Sequence, residues 1–181
     1  MRVHCLEVGD LLTNCYFISS DKELLVVDPG ANPEKIIKAL EETGKKIKKI
    51  ILTHYHFDHN QAAEEIRKRF NSAILIHTDD RDFLKEGGIV ADRSVKDKDE
   101  IEINGKILKV IHTPGHTEGS ICLLGENFII TGDTLFENGY GRTDLPGGSP
   151  DKMKKSLERL RRKIKPGMHL YPGHGESFKF F

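Results

Sequence analysis

The stretch His54-Tyr55-His56-Phe57-Asp58-His59 places four groups able to bind a metal ion within six residues. His54 and His56 lie two apart. In an extended segment both imidazoles point the same way, so they can grip one ion together. Asp58 and His59 come as the chain turns and can face a second ion beside the first. Imidazole with carboxylate suits zinc, and it also suits iron or manganese. Three later turns each deliver one more group of this kind: Pro114-Gly115 presents His116, Gly132 lets the backbone pass close before Asp133, and Pro172-Gly173 presents His174.

These seven candidates, His54, His56, Asp58, His59, His116, Asp133 and His174, exceed the needs of one zinc ion. Zinc usually takes four ligands, and a catalytic site keeps one of those places for water. Two divalent ions sharing Asp133 account for the number. One would have His54, His56 and His116, the other Asp58, His59 and His174. A carboxylate can bridge ions about 3.5–4 Å apart, and water between them ionises near neutral pH to attack a carbonyl or phosphorus.

The surrounding pattern shows what must hold these groups. Residues 49–53 form a short β-branched apolar run, the mark of a buried strand. Residues 60–70 read as a helix with Ala62, Ala63, Ile66 and Phe70 on one face. The hexapeptide is then a strand-to-helix loop at the carboxyl end of a strand, where open α/β sheets place their sites. A strand over 23–27 ends at Asp28-Pro29-Gly30. Asp28 is either an acceptor that orients a ligand histidine or a turn residue before proline.

The remaining elements follow from local signals. Strands are expected over 2–8 and 14–19. Asn32-Pro33 starts a helix with Asn32 as cap, Ile36, Ile37 and Leu40 form its stripe, and Gly44 ends it. Residues 73–77 form a strand whose last residue, His77, lacks partners at ligand spacing. A short helix over 78–86 has Thr78 as cap, and 87–96 is a candidate mobile loop beside the site. Asn104-Gly105 joins a hairpin of 100–103 with 106–111. His112 falls within the second hairpin strand, as a packed or supporting residue. Paired strands are expected over 120–124 and 128–130. Ser149-Pro150 caps a last helix with Met153, Leu157, Leu160 and Ile164 at helical spacing, and 169–171 is a final strand.

With 181 residues the chain is expected to be one domain. Lys plus Arg equals Asp plus Glu at 28 each, so there is no basic bias of the kind that nucleic-acid or membrane-surface proteins carry. The first residues lack the apolar core of a signal peptide, and no stretch has the apolar length of a membrane span. Cys5, Cys15 and Cys122 are odd in number and none is spaced as a C-x-x-C pair, which fits reduced thiols in a cytoplasmic protein. The expected partner is a small-molecule substrate, with no nucleic acid and no membrane.

The order H-x-H-x-D-H (54–59), T-P-G-H-T (113–117), T-G-D (131–133) and P-G-H-G (172–175) resembles the metallo-β-lactamase superfamily over nearly the whole chain. The resemblance implies an α/β fold of the αββα type, a four-layer sandwich of two mixed sheets with helices outside and metals at one edge. Thr13-Asn14-Cys15-Tyr16 and Gly141-Arg142-Thr143-Asp144-Leu145-Pro146-Gly147-Gly148 are similar to the glyoxalase II group and its short members. That likeness implies a thioesterase acting on S-lactoylglutathione-like thioesters through a metal-bridging hydroxide. It implies Asp133 as the shared ligand, Asp58 as a ligand that can take the proton of the attacking group, Arg142 as a clamp for a substrate carboxylate, and Tyr140 as a donor to substrate. The helical domain that follows the last histidine of full-length glyoxalase II is not expected after His174. Persulfide dioxygenases share the motifs but use one iron and oxygen, so metal count separates them from the hydrolases. A β-lactamase commonly has cysteine where this chain has Asp133, and a non-catalytic metal-binding protein would more readily lack a ligand.

Overall fold

The computed structural model describes residues 1–181. Two six-stranded sheets lie face to face. In the first, β1 (Arg2–Val8), β2 (Thr13–Ser19) and β3 (Glu23–Val27) run antiparallel in turn. From β3 onward β4 (Lys46–Ile51), β5 (Ala73–His77) and β6 (Arg93–Val95) add in parallel. The second sheet holds β7 (Glu100–Ile103), β8 (Lys106–His112), β9 (Ile121–Leu124), β10 (Phe128–Gly132), β11 (His169–Pro172) and β12 (Phe178–Lys179). Here β9 is antiparallel to both its neighbours and β11 parallel to β10, so β8, β10 and β11 end at the same rim.

The period of two along each strand builds three cores from one sequence. Cys15, Phe17, Leu24, Val26, Ile74 and Ile76 face the helices α1 (Pro33–Glu42), α2 (Ala63–Phe70) and α3 (Arg81–Glu86). The alternate residues Tyr16, Ile18, Leu25, Val27, Ile51 and Leu75 face the other sheet and meet Leu108, Val110, Leu123 and Ile130. Ile111, Cys122 and Ile129 turn outward from the second sheet onto Leu160 of α4 (Pro150–Arg161) and onto Ile164. The result is the four-layer αββα sandwich that the resemblance implied. No helix is long and apolar enough to cross a membrane.

At the rim the sheets are joined directly. The Ile121 amide donates to the Thr53 carbonyl (2.9 Å) and the Asn14 amide to the Gly173 carbonyl (2.8 Å). The Tyr16 hydroxyl donates to the Pro172 carbonyl at 2.6 Å, and the Asn14 side chain donates to Pro172 and Gly175. The Thr13–Tyr16 motif therefore anchors the turn that carries His174.

Several expected elements are corrected. Residues 60–70 are not one helix. A 3-10 turn spans Phe57–His59 and α2 starts at Ala63, because Asn60 spends its side-chain amide on the Tyr55 and His56 carbonyls. Asn32 precedes α1 but does not cap it. It lies at φ 51°, and its side chain accepts instead from the Gly9 amide at 2.8 Å. Thr78 does not cap α3: it begins a 3-10 turn over Thr78–Asp80, where the His77 ring accepts from the Asp79 amide. Residues 87–96 do not hang free beside the site. Ile89 and Ala91 are buried, and Asp92 exchanges hydrogen bonds with Ile74 that lead the chain into edge strand β6. The short C-terminal strand β12 was not anticipated. The Asn104-Gly105 hairpin, the Ser149 cap and the stop at Gly44 (φ 63°) form as their residues predict.

Candidate metal centre

All seven predicted ligands gather at the rim where the parallel strands of both sheets end. His54, His56, Asp58 and His59 follow β4, His116 follows β8, Asp133 follows β10 and His174 follows β11. Within 4.8 Å of one another lie the ligand atoms of His54, His56 and His116, those of Asp58, His59 and His174, and those of His54, His59 and Asp133. Asp133 stands between the first two groups. Its Oδ1 is 3.5 Å from His59 Nε2, and its Oδ2 is 3.5 Å from His116 Nε2 and 3.7 Å from His174 Nε2.

The far side of the rings is fixed by the fold. His116 Nδ1 donates to the Arg142 carbonyl at 2.7 Å and His174 Nδ1 to the Leu11 carbonyl at 3.0 Å. His59 Nδ1 donates to Asp28 Oδ2 at 3.0 Å. His54 Nδ1 lies 3.1 Å from Thr53 Oγ1, which itself donates to Asp28 Oδ2 at 2.7 Å. Each of these four rings thus turns Nε2 inward, the atom a metal ion would take. Asp28 is buried at φ 51° and also accepts the Thr53 amide. It is both the turn before Pro29 and the acceptor that orients the His59 ring.

Two of the inward atoms have no protein partner. His54 Nε2 and Asp133 Oδ1 are buried without a hydrogen bond, which is costly unless something binds there. His56 Nδ1 and His116 Nε2 face each other at 2.9 Å. Burial and the neighbouring histidines push His54 far below the ordinary imidazole range. Burial also lowers His59, but Asp133, Asp28 and Asp58 outweigh it and raise that ring to about 9. Burial raises the Asp58 carboxyl, yet the His174 hydrogen bond and the charges of His59 and His174 bring it to about 2. Three carboxylates or imidazoles converging on each of two points, with buried lone pairs unused, fit divalent ions.

Glycines let the walls close on this cluster. A Cβ at Gly173 would lie 2.1 Å from Asp133 Oδ1, and one at Gly141 would lie 2.1 Å from the Asp133 carbonyl. The Gly141 amide donates to that same carbonyl at 2.9 Å. The Gly141–Arg142 main chain therefore supports both Asp133 and His116.

The predicted substrate residues are placed less directly. The Arg142 guanidinium is exposed and makes a two-pronged pair with Asp144, at 2.8 and 2.7 Å. Tyr140 is exposed and lines a hollow against α4 with Met153 and Leu157. Beside Asp58 lies a cavity of about 320 Å³ bordered by Leu11, Thr13, Gly30 and Phe57. Phe57 and Leu11 are 62% and 54% exposed, large apolar groups left open next to the cluster.

A second group, His77, Asp79 and His112, is also close enough to hold an ion. Its ring atoms are already engaged. The two imidazoles stack at 4.0 Å, His77 Nδ1 accepts from the Asp79 amide, and His112 Nε2 donates to the Glu118 carbonyl at 2.8 Å. This agrees with reading both histidines as packed strand-end residues. No local signal in the sequence marks Asp80, although it lies at the heart of the rim. It is fully buried and bonded to both metal loops.

Known proteins are similar to this chain over nearly its whole length. The family model of the metallo-beta-lactamase superfamily matches residues 8–174. YqgX of Bacillus subtilis strain 168, a probable metallo-hydrolase, is 30% identical over 191 aligned residues that cover 97% of this chain and 90% of that protein. GloC of Haemophilus influenzae, a hydroxyacylglutathione hydrolase, is 29% identical over 193 residues, covering 97% and 91%. The crystal structure of the B3 metallo-beta-lactamase BLEG-1 superposes with a TM-score of 0.90 at 28% identity, covering 98% of this chain and 94% of that one. The chain belongs to the metallo-beta-lactamase superfamily.

Proposed function

We propose that the protein is a two-metal hydrolase of thioesters, with S-lactoylglutathione-like compounds as its substrate class. The observation that supports it is structural continuity. The Gly141–Arg142 segment, which resembles glyoxalase II, holds Asp133 and His116 through its own main chain. The named activity of the GloC relative points the same way.

His54, His56 and His116 would hold one ion, Asp58, His59 and His174 the other, with Asp133 shared. Two divalent ions, zinc in the first instance, would supply a hydroxide at neutral pH and draw electron density from the substrate carbonyl. The protein's own part is to place and protect. Asp58 Oδ2 accepts from Thr13 Oγ1 at 3.3 Å, which helps to hold the carboxylate that would take the proton of the attacking group. Phe57 and Leu11 offer an apolar wall to the acyl group. Arg142 takes a substrate carboxylate by exchanging Asp144 for it, and Tyr140 borders the outer side.

The test is thiol release from S-lactoylglutathione by zinc-loaded protein, with Asp133→Ala as control and a β-lactam as rival substrate. Release that depends on Asp133 supports the proposal. Cleavage of the β-lactam alone moves the protein to the other activity named among its relatives. Oxygen uptake with glutathione persulfide on iron-loaded protein, without thioester cleavage, would replace hydrolysis by oxidation.

A further inference from the structure

Asp80 is a carboxylate with no exposure at all, and none of its partners is a cation. Its Oδ2 accepts the Tyr55 amide at 3.1 Å and the Thr117 hydroxyl at 2.7 Å. Its Oδ1 accepts the Gly119 amide at 2.7 Å. Tyr55 stands between His54 and His56, and Thr117 follows His116. One side chain, delivered from the turn after β5, thus ties the loop that carries His54, His56, Asp58 and His59 to the loop that carries His116.

We propose that Asp80 is a positioning residue that sets the spacing of His54, His56 and His116 and so determines whether the three can close on one ion.

The chemistry requires a carboxylate. Only an acceptor with two oxygens and no hydrogens can take two amides and a hydroxyl at once. An asparagine would turn an N–H toward a donor on one loop or the other. The fit is close on every side. A Cβ at Gly119 would lie 2.6 Å from Asp80 Cγ, so glycine is needed for the loop to descend onto the carboxylate. Thr117 is braced in turn by Ser120, whose hydroxyl accepts the Thr117 amide at 3.0 Å. Tyr55 is braced by stacking on Phe83 of α3, with ring centroids 4.8 Å apart. Burial pushes the Asp80 carboxyl up to about 6, against the pull of its three hydrogen bonds. Asp58, His59 and His174 make no hydrogen bond to Asp80, whose partners are Tyr55, Thr117 and Gly119, so the effect falls first on the three-histidine group.

The inference rests on the reading that these histidines hold an ion, and the experiment separates the two. Zinc affinity at each site is measured by chelator competition in the wild type, Asp80→Asn, Thr117→Val and Thr117→Ser. Cobalt absorption reports the ligand geometry. Hydrogen exchange at the Tyr55 and Gly119 amides reports the clamp in the metal-free chain. Partners that orient ligands change metal affinity by about 10–100-fold. Asp80→Asn should weaken the three-histidine site by that factor, speed exchange at one of the two amides and leave the other site within about twofold. Thr117→Val should show a smaller loss that Thr117→Ser restores. Unchanged affinity in Asp80→Asn, or equal loss at both sites in step with melting temperature, would overturn the proposal. A wild type that takes up no ion would overturn the metal reading and the proposal together.

Discussion

His59 Nδ1 lies 3.0 Å from Asp28 Oδ2, and its Nε2 lies 3.4 Å from Asp58 Oδ2 and 3.3 Å from His174 Nε2. A single imidazole thus spans from a buried acceptor just past β3 to the open side of the cluster. Asp28→Asn should keep the Thr53 amide bond but turn its amide donor toward either the Thr53 hydroxyl or His59. The expected result is a loss of about 10–100-fold in affinity for the ion of Asp58, His59 and His174, read by zinc titration against a chelator.

Asp133→Ala removes the one carboxylate near both groups. Metal analysis should show at least one ion fewer per chain, and thioester hydrolysis should fall at least about 1,000-fold. Wild-type metal content in this variant would remove Asp133 from the shared position.

Gly173→Ala tests the closeness of the wall. Its methyl group would fall 2.1 Å from Asp133 Oδ1 and 2.8 Å from His59 Cε1, so the carboxylate must move. Metal content should drop while far-UV circular dichroism stays that of the wild type.

Arg142 and Asp144 form an exposed pair of the kind that contributes little to stability. Arg142→Ala should therefore leave the melting temperature near that of the wild type but raise KM for a carboxylate-bearing thioester several-fold. Asp144→Ala frees the guanidinium and should lower that KM. A KM that ignores both changes would end the clamp assignment.

His77 supplies a pH dependence outside the metal cluster. Burial, and then the charge of the stacked His112, lower its imidazole to about 4 from an ordinary 6.5. Between those values the unfolded chain binds a proton that the folded chain refuses, so stability falls as pH drops from about 6.5 to about 4. The metal-free protein should melt progressively earlier across that window. The difference between wild type and His77→Asn, which keeps an acceptor near Nδ1, should grow in the same window. Parallel curves would place the dependence elsewhere.

The His/Asp cluster was legible because each candidate ligand sits in its own local signal: a histidine pair at strand spacing, then turns made by Pro-Gly or Gly. Asp28 was half legible, because a carboxylate before Pro-Gly also makes an ordinary turn, and only the approach of Thr53 and His59 shows which bonds it makes. Asp80 was not legible. In Thr78-Asp79-Asp80-Arg81 it looks like helix-start chemistry, and its three partners come from loops 25 and more than 35 residues away. Asn60 and Asn32 misled for one reason. Both carry side chains suited to helix starts, and both use them across the loop instead. Strands β6 and β12, of three and two residues, are too short to show a period.

Each three-ligand group draws two residues from the first sheet and one from the second. An ion bound there is a chelate across the seam of the sandwich, and its affinity includes the free energy of keeping the seam shut. By thermodynamic linkage the reverse holds as strongly: occupancy by metal tightens the apolar layer between the sheets. Truncating Leu123 or Ile51, both buried there and neither a ligand, should loosen zinc before it unfolds the chain. In such a protein the affinity for metal is a gauge of packing elsewhere, and scarcity of metal is felt first as slackness between the two halves.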